Sequence, residues 1–289
     1  TSFYSKLETA SPTIATDALL ISILIDAYEG RDVATADVAG AYLNAYMRDF
    51  VIMKFTGDSV RVLCDVNPTH RAFVVYENGV PTLYVRLLKA LYGCVQSALL
   101  WYELFTKTLQ SMGFVLNPYD HCVANCLVEG SQCTICWYVD DTKISHKDPA
   151  VVTAVIKKLE SHFNKMKVTR GDHHVFLGMH IDYHRTSNTA TISMRDYLTE
   201  AIADSSLSIT KTASTPAGTN LFTIDEASPP LSPTSRDVFH SVVAKLLYVS
   251  LRGRMDILLT TSFLATRVTK STQQDLKKLR RIIEYISGS

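Results

Sequence analysis

Tyr138-Val139-Asp140-Asp141 closes an apolar, β-branched run, Cys133-Thr134-Ile135-Cys136-Trp137. A second run, Val123-Ala124-Asn125-Cys126-Leu127-Val128, precedes it across Glu129-Gly130-Ser131. Two strand-like runs joined by a short glycine-containing link predict a β-hairpin with its turn at Gly130. Adjacent aspartates repel each other and form strands poorly. A sheet that carries them at a strand end needs a neutralising cation, and oxygen-only ligands suit Mg²⁺ or Mn²⁺. Asp37 ends another strand-like run, Val33-Ala34-Thr35-Ala36. Carboxylates from two strand ends can hold two divalent ions roughly 3.5–4 Å apart, the arrangement used for in-line phosphoryl transfer. The competing reading of an isolated Asp-Asp pair is a surface turn, so the flanking sequence decides.

Outward from the hairpin, the pattern alternates helix and strand. Ser11-Pro12 predicts a helix start and Gly30 its stop. A strand over 31–37, a short helix over 39–47 and a strand over 50–55 follow. A mixed stretch over 57–78 and a strand near 83–87 lead to a helix over 96–112, with Trp101, Leu104, Phe105 and Leu109 on its apolar stripe. Asp148-Pro149 begins a helix ending at Phe163, and strands over 175–192 precede a helix over 194–203. Residues 205–235, rich in Ser, Thr and Pro, read as an extended connection. Three helices, near 237–251, 255–269 and 272–286, complete the chain. The β-α-β-β-α-β order before Val168 suits a split βαβ unit.

Several ordered segments carry a family resemblance. Asp37-Val38-Ala39-Gly40-Ala41-Tyr42-Leu43-Asn44 is similar to D-V-x-x-A-[FY]-L-N. The segment Leu88 to Tyr102 is similar to L-x-x-x-L-Y-G-L-K-Q-[AS]-P-R-x-W-[YF]. Tyr138 to Asp141 follows at the expected distance, and then Phe176-Leu177-Gly178. Phe239 to Tyr248 and Arg254-Met255-Asp256-Ile257 are similar to Y-R-x-x-V-G-x-L-x-Y and R-P-D-I. Together these resemble the reverse transcriptase of copia-type (Pseudoviridae) LTR retrotransposons over nearly the whole chain. Departures fall at Val95, Ala98 and Leu99, where the family has Lys, Pro and Arg, and at Ala244 and Met255.

The resemblance implies an α+β fold: a polymerase palm whose ferredoxin/RRM-like antiparallel sheet has its helices on one face, partial fingers and a helical thumb. It implies domains over 1–204 (partial fingers and palm), 205–235 (connection) and 236–289 (thumb). The implied function is RNA-directed DNA polymerisation, with two Mg²⁺ or Mn²⁺ ions held by Asp37, Asp140 and Asp141. The alternative is a domesticated or inactive remnant that only binds nucleic acid, kept open by the cations missing at Val95 and Leu99.

Val38, Tyr42 and Gln96 are expected at the nucleotide. A tyrosine ring beneath the sugar would clash with a 2′-hydroxyl; otherwise Tyr42 is a core residue and Gln96 a polar residue near a helix cap. Lys167 is the expected proton donor to pyrophosphate, with Lys165 competing. Phe176, Leu177 and Gly178 resemble a primer grip. Lys277, Lys278, Arg280 and Arg281 form the expected nucleic-acid stripe, which would lie on phosphates. Expected partners are an RNA or DNA template with primer, deoxynucleoside triphosphates, and RNase H, integrase and protease regions of one polyprotein, with fingers strands upstream of Thr1. The expected setting is a cytoplasmic virus-like particle, with the nucleus as the alternative.

Composition is ordinary for a globular protein, and the net charge is +1. No stretch has the length of a transmembrane helix, which argues against a membrane partner. The chain holds 6 cysteines, and Cys122-x3-Cys126 with Cys133-x2-Cys136 approaches zinc spacing. On a strand, however, Cys133 and Cys136 differ in parity and point to opposite faces. Elemental analysis of the purified protein should therefore find substoichiometric zinc, and a chelator should leave the melting temperature unchanged. One tightly held zinc per chain would overturn the parity argument.

Overall fold

The computed structural model describes residues 10–289, so Glu8 and Thr9, expected to begin an E-T-x-x-P segment, lie outside the described residues. The chain divides into two compact units, one up to Gly171 and one from Asp172.

The first unit begins with α1 (Thr16–Tyr28). It starts later than Ser11-Pro12 predicts. The Ala15 N–H donates to the Asp120 carboxylate at 2.8 Å, so a distant side chain takes the place of a local cap. Gly30, at φ +64°, ends it as expected. Next come β1 (Asp32–Asp37), β2 (Tyr46–Thr56), α2 (Asp58–Val66), β3 (Val75–Glu77) and β4 (Val80–Lys89). The helix expected over 39–47 is a single 3₁₀ turn, Ala41–Asn44, because β2 already begins at Tyr46. Then follow α3 (Ser97–Ser111), β5 (Val115–Leu116), β6 (Val123–Val128), β7 (Ser131–Tyr138), β8 (Asp141–His146), α4 (Pro149–Phe163) and β9 (Lys167–Arg170). Asp148 caps α4, its carboxylate accepting the Ala150 N–H at 2.8 Å.

Six strands form one sheet in the order β5-β6-β7-β8-β1-β9, and β2, β4 and β3 form a second. Within the first, β7-β8-β1-β9 is the order of a split βαβ unit, with α3 and α4 as its connections. The two connecting helices share one face, where Phe163 of α4 packs against Trp101 and Phe105 of α3 with ring centroids 5.0 and 5.8 Å apart, while α1 covers the other face. Trp137 of β7 packs against Phe105 of α3, with ring centroids 5.4 Å apart. Its neighbour Cys136 points the other way, with its sulfur 3.4 Å from Ser22 of α1. Lys143, the cross-strand partner of Cys136, shares that face and is wholly buried. Its ammonium donates to Ser22 Oγ at 2.9 Å and pairs with Asp26 of α1. A buried lysine must find its counter-ion, and α1 supplies it. The described cysteines are free thiols, with Cys126 directly opposite Cys133; burial pushes the Cys133 and Cys122 thiols up to about 12.

The second unit opens with a three-stranded antiparallel sheet of β10 (His173–Phe176), β11 (Met179–His184) and β12 (Thr189–Ser193). Then come α5 (Arg195–Asp204), α6 (Pro233–Ser250), α7 (Leu258–Ala265) and α8 (Gln273–Ile286). The sheet and α5 were expected with the first region; they belong here because the strands pair with one another and α5 packs on α6. Phe239, Val243 and Leu246 of α6 are buried, as are Leu264 of α7 and Ile282 of α8. A Thr272–Asp275 capping box starts α8. The helix expected over 255–269 is broken: 3₁₀ turns at Met255–Ile257 and Val268–Lys270 flank a short α7, and Arg267 reaches across to Asp275. The connection from 205 onward runs antiparallel along α8. The Ala213 N–H donates to the Glu284 carbonyl at 3.2 Å, the Asp225 N–H to Gln274 Oε1 at 2.9 Å, and the Gln273 N–H to the Pro229 carbonyl at 2.9 Å. Among the described residues no helix is long and apolar enough to cross a membrane.

The Lys143–Asp26 pair generates a stability prediction. Lys143→Met should destabilise the fold by about 3–5 kcal/mol, because it strands a buried carboxylate. Adding Asp26→Leu to Lys143→Met should recover most of that loss. Urea unfolding of the two variants is the measurement, and a double variant as unstable as the single one would contradict it.

Candidate active site

The register of the main sheet aligns the expected residues in one row. Tyr138 of β7 pairs with Asp141 of β8, Asp141 with Asp37 of β1, and Asp37 with Lys167 of β9. Directly paired residues of antiparallel strands project to the same face. The row therefore sets two carboxylates side by side with a lysine beyond them. It also separates Lys167 from Lys165: only Lys167 lies within β9, opposite Asp37, and it is exposed.

Asp140 sits one residue off the row, in the two-residue turn Val139-Asp140 between β7 and β8. Val139 has φ +57°, a conformation that β-branched residues rarely adopt. Such a turn costs on the order of 1–3 kcal/mol and persists only where its surroundings fix it. Here two hydrogen bonds do so. The Trp101 indole N–H donates to the Val139 carbonyl at 2.7 Å, and the Val38 N–H donates to the Asp140 carbonyl at 3.2 Å. Val38 is fully buried, which corrects its expected place at a nucleotide: it holds the turn and offers no side-chain surface.

The electrostatics of the row are those of crowded like charges. Burial raises the Asp141 carboxyl above the ordinary carboxylate range, and the neighbouring Asp140 and Asp37 raise it further. The oxygen donors of Asp37, Asp140 and Asp141 suit a hard divalent cation, which would relieve this repulsion. Among the described residues, however, no three His, Cys, Asp or Glu side chains already close on one point. The Asp140 carboxylate accepts instead from the Tyr92 hydroxyl at 3.3 Å.

Tyr42 lies in the 3₁₀ turn that follows Gly40, whose φ of +64° turns the chain out of β1. Its ring is 4.4 Å from that of Tyr92 and packs beside Ala45, Ala90 and Leu100. Burial raises the Tyr42 phenol, and the charge of Asp140 adds to it. Tyr42, Tyr92 and Asp140 thus form one cluster. Gln96 occupies the N-cap position of α3 but makes no capping bond, and its buried Oε1 has no partner among the described residues. A buried unpaired acceptor asks for a donor that the described residues do not supply.

Sequence reasoning missed Tyr92 and Trp101 as parts of the site. Trp101 read only as core, although a buried indole N–H needs an acceptor. Tyr92 carried no signal beyond its place in the Leu91-Tyr92-Gly93 segment.

In the second unit, Leu177 and Gly178 form the two-residue turn between β10 and β11, at φ +50° and +75°. The Tyr248 hydroxyl donates to the Leu177 carbonyl at 2.8 Å and fixes the turn. Phe176 is buried, so its ring belongs to the core and offers nothing to a primer. The basic stripe of α8 also needs correction. Lys278 is buried, donates to the Thr223 carbonyl at 2.7 Å and lies 4.8 Å from the Phe263 ring centroid. Burial lowers the Lys278 ammonium below its usual range. Arg280 donates to the Ser208 carbonyl at 3.2 Å, and Arg281 to Thr215 Oγ1 at 2.9 Å. These cations tie down the connection, and of the four only Lys277 is exposed without such a bond.

Comparison with known proteins bears on the family of the chain. The family model described as reverse transcriptase (RNA-dependent DNA polymerase) matches residues 2–219. The chain is 27% identical over 251 residues to a putative transposon Ty5-1 protein of Saccharomyces cerevisiae, covering 86% of this chain and 74% of that protein. It is 24% identical over 286 residues to the retrovirus-related Pol polyprotein from transposon RE1 of Arabidopsis thaliana, covering 98% of this chain and 18% of the polyprotein. It is also 24% identical over 288 residues to the transposon Ty1-MR1 Gag-Pol polyprotein of Saccharomyces cerevisiae, covering 96% of this chain and 15% of that one. The chain thus spans less than a fifth of the polyproteins it matches. It belongs to the reverse transcriptase (RNA-dependent DNA polymerase) family, in the copia-type branch of LTR retrotransposons.

Proposed function

We infer that the split βαβ sheet is a polymerase palm and that the row Tyr138–Asp141–Asp37–Lys167, with Asp140 above it, is the nucleotidyl-transfer site. The row carries the reading: its register sets two carboxylates and a lysine side by side on one face of the sheet. Asp37, Asp140 and Asp141 would hold the divalent ions, Mg²⁺ or Mn²⁺, which supply Lewis acidity at the primer hydroxyl and the triphosphate. Lys167 donates a proton from Nζ to the departing pyrophosphate. The Tyr42 ring, backed by Tyr92, closes the space beside a 2′-hydroxyl and selects deoxynucleotides. Gln96 Oε1 accepts a hydrogen bond from the nucleotide or the template base. The backbone at Leu177 and Gly178 carries the primer grip, because a glycine permits close approach. Template and primer are the nucleic-acid partners. RNase H, integrase and protease regions are expected in the same polyprotein, assembled in a cytoplasmic particle.

Two measurements test the assignment. Asp140→Asn should lower primer extension on an RNA template by ~10³-fold or more, a loss of several kcal/mol of transition-state stabilisation. Its thermal melt should match the parent, and near-normal extension by the folded variant would refute the metal-site assignment. Tyr42→Ala should raise ribonucleotide relative to deoxynucleotide incorporation, whereas Tyr42→Phe, which keeps the ring, should not. An unchanged ratio in Tyr42→Ala would place the ring away from the sugar.

A further inference from the structure

Helix α8 carries two unlike stripes. Leu279, Ile282 and Ile283 are buried in the core. Gln274, Lys277, Lys278 and Arg281, spaced three and four residues apart, share another face. Like charges at that spacing repel one another along a helix. On an open face they would spread into water, but here the connection folds over them. The Lys278 ammonium donates to the Thr223 carbonyl at 2.7 Å, the Asp225 N–H donates to Gln274 Oε1 at 2.9 Å, and Arg281 donates to Thr215 Oγ1 at 2.9 Å. Between this face and the loop at Pro216 to Gly218 lies a cavity of about 140 Å³. It has room for several water molecules, and so for one tetrahedral oxyanion.

The lining is one-sided in charge. Lys277, Lys278 and Arg281 contribute to it, and among the described residues no Asp or Glu does. Lys278 is 9% exposed, and the two groups it touches, a carbonyl and the Phe263 ring, are neutral. Asp275, three residues earlier on α8, is paired with Arg267. Burial lowers the Lys278 ammonium, and Asp275 opposes this without cancelling it. The Arg281 Nε is buried and has no hydrogen-bond partner among the described residues. Across the cavity, the Ala217 and Gly218 N–H groups donate to no described residue either.

A buried cation without a counter-ion is costly, and buried donors without acceptors mark a missing partner. A ligand that meets both needs is multiply anionic and rich in acceptor oxygens. A carboxylate has one charge and two oxygens in a plane. A phosphate dianion presents oxygens in four directions, toward the helix cations and toward the loop amides. A phosphodiester within a strand has a single charge and chain on both sides, so it matches three cations less well. We propose that the cavity between α8 and the loop at 216–218 binds a free phosphate or phosphomonoester dianion, held by Lys277, Lys278, Arg281 and the loop amides. Binding clamps the connection onto α8, because one anion bridges residues of both. The site lies wholly within the second unit and uses nothing of the Asp37–Asp141 row, so it is independent of the polymerase reading.

The test is calorimetric titration of the protein with inorganic phosphate at pH 7.5, with chloride holding the ionic strength constant. The parent should show one saturable site per chain, and phosphate should raise its melting temperature by several degrees. Lys277→Gln with Arg281→Gln should weaken binding about tenfold or more and remove the thermal shift, while its melt in chloride alone reports that it folds. Lys278→Met should lose binding likewise. Arg280→Gln, which removes a neighbouring charge outside the cavity, should bind phosphate as the parent does. No saturable binding by the parent, an equal loss in Arg280→Gln, or a thermal shift that follows ionic strength instead of phosphate would overturn the proposal. So would displacement of bound phosphate by a blunt DNA duplex, since the ligand would then be a strand and not a free dianion.

Discussion

The site depends on the register of one antiparallel sheet. Asp37, Asp141 and Lys167 lie far apart in sequence and meet only because β8, β1 and β9 pair as they do. A slip of one residue would turn each of these side chains to the opposite face. Several interactions hold the register. Thr142 donates to the Ala36 carbonyl at 2.9 Å across the same strands. Lys143 is anchored to α1 through Asp26 and Ser22. The β7–β8 turn is pinned from two sides by Trp101 and Val38. The Thr142 and Lys143 contacts are buried, where alternative partners from water are absent and a slipped register would leave polar groups unpaired.

Features that weaken the fold gather around the row. Val139 adopts a backbone conformation unfavourable for its side chain, Asp141 is a partly buried carboxylate beside two others, and Gln96 keeps an unpaired buried oxygen. Away from ligands each is a cost. Together they are what the proposed site would use, since cations and hydrogen-bond donors arriving with a substrate would relieve each of them. The counterweight is the apolar layer beneath, where Trp101, Phe105, Trp137 and Phe163 pack edge to face and tilted.

Much of this was legible in the chain. Strand runs ending in aspartate gave the hairpin and the carboxylates, and Asp148-Pro149 gave the start of α4, because these signals act over a few residues. What was hidden depends on partners distant in sequence. The first turn of α1 waits for Asp120, and the expected helix at 255–269 gives way where Arg267 reaches Asp275. The two-sided covering of the sheet follows from where Cys136 and Lys143 find α1, which periodicity in β7 and β8 does not reveal. The choice between Lys165 and Lys167 needed the pairing of β9 with β1.

Charge was the least legible property. The C-terminal segment concentrates Lys and Arg, and by composition it is the natural place for phosphate contacts. Yet Lys278 is buried, Arg267 is buried against Asp275, and Arg254 is held by Asp256, while Arg280 and Arg281 bond only to a carbonyl and a hydroxyl of the connection and keep their charge. A cation already desolvated or paired contributes little to an external field, since release of counterions from phosphate requires charge that solvent can reach. Attraction for a polyanion follows the cations left without acids, not their number. On β4, Arg86 and Lys89 have no acid partner among the described residues and lie over the exposed rings of Phe50 and Tyr46. A nearly neutral sequence can therefore keep local positive charge wherever pairing within the fold has not neutralised it.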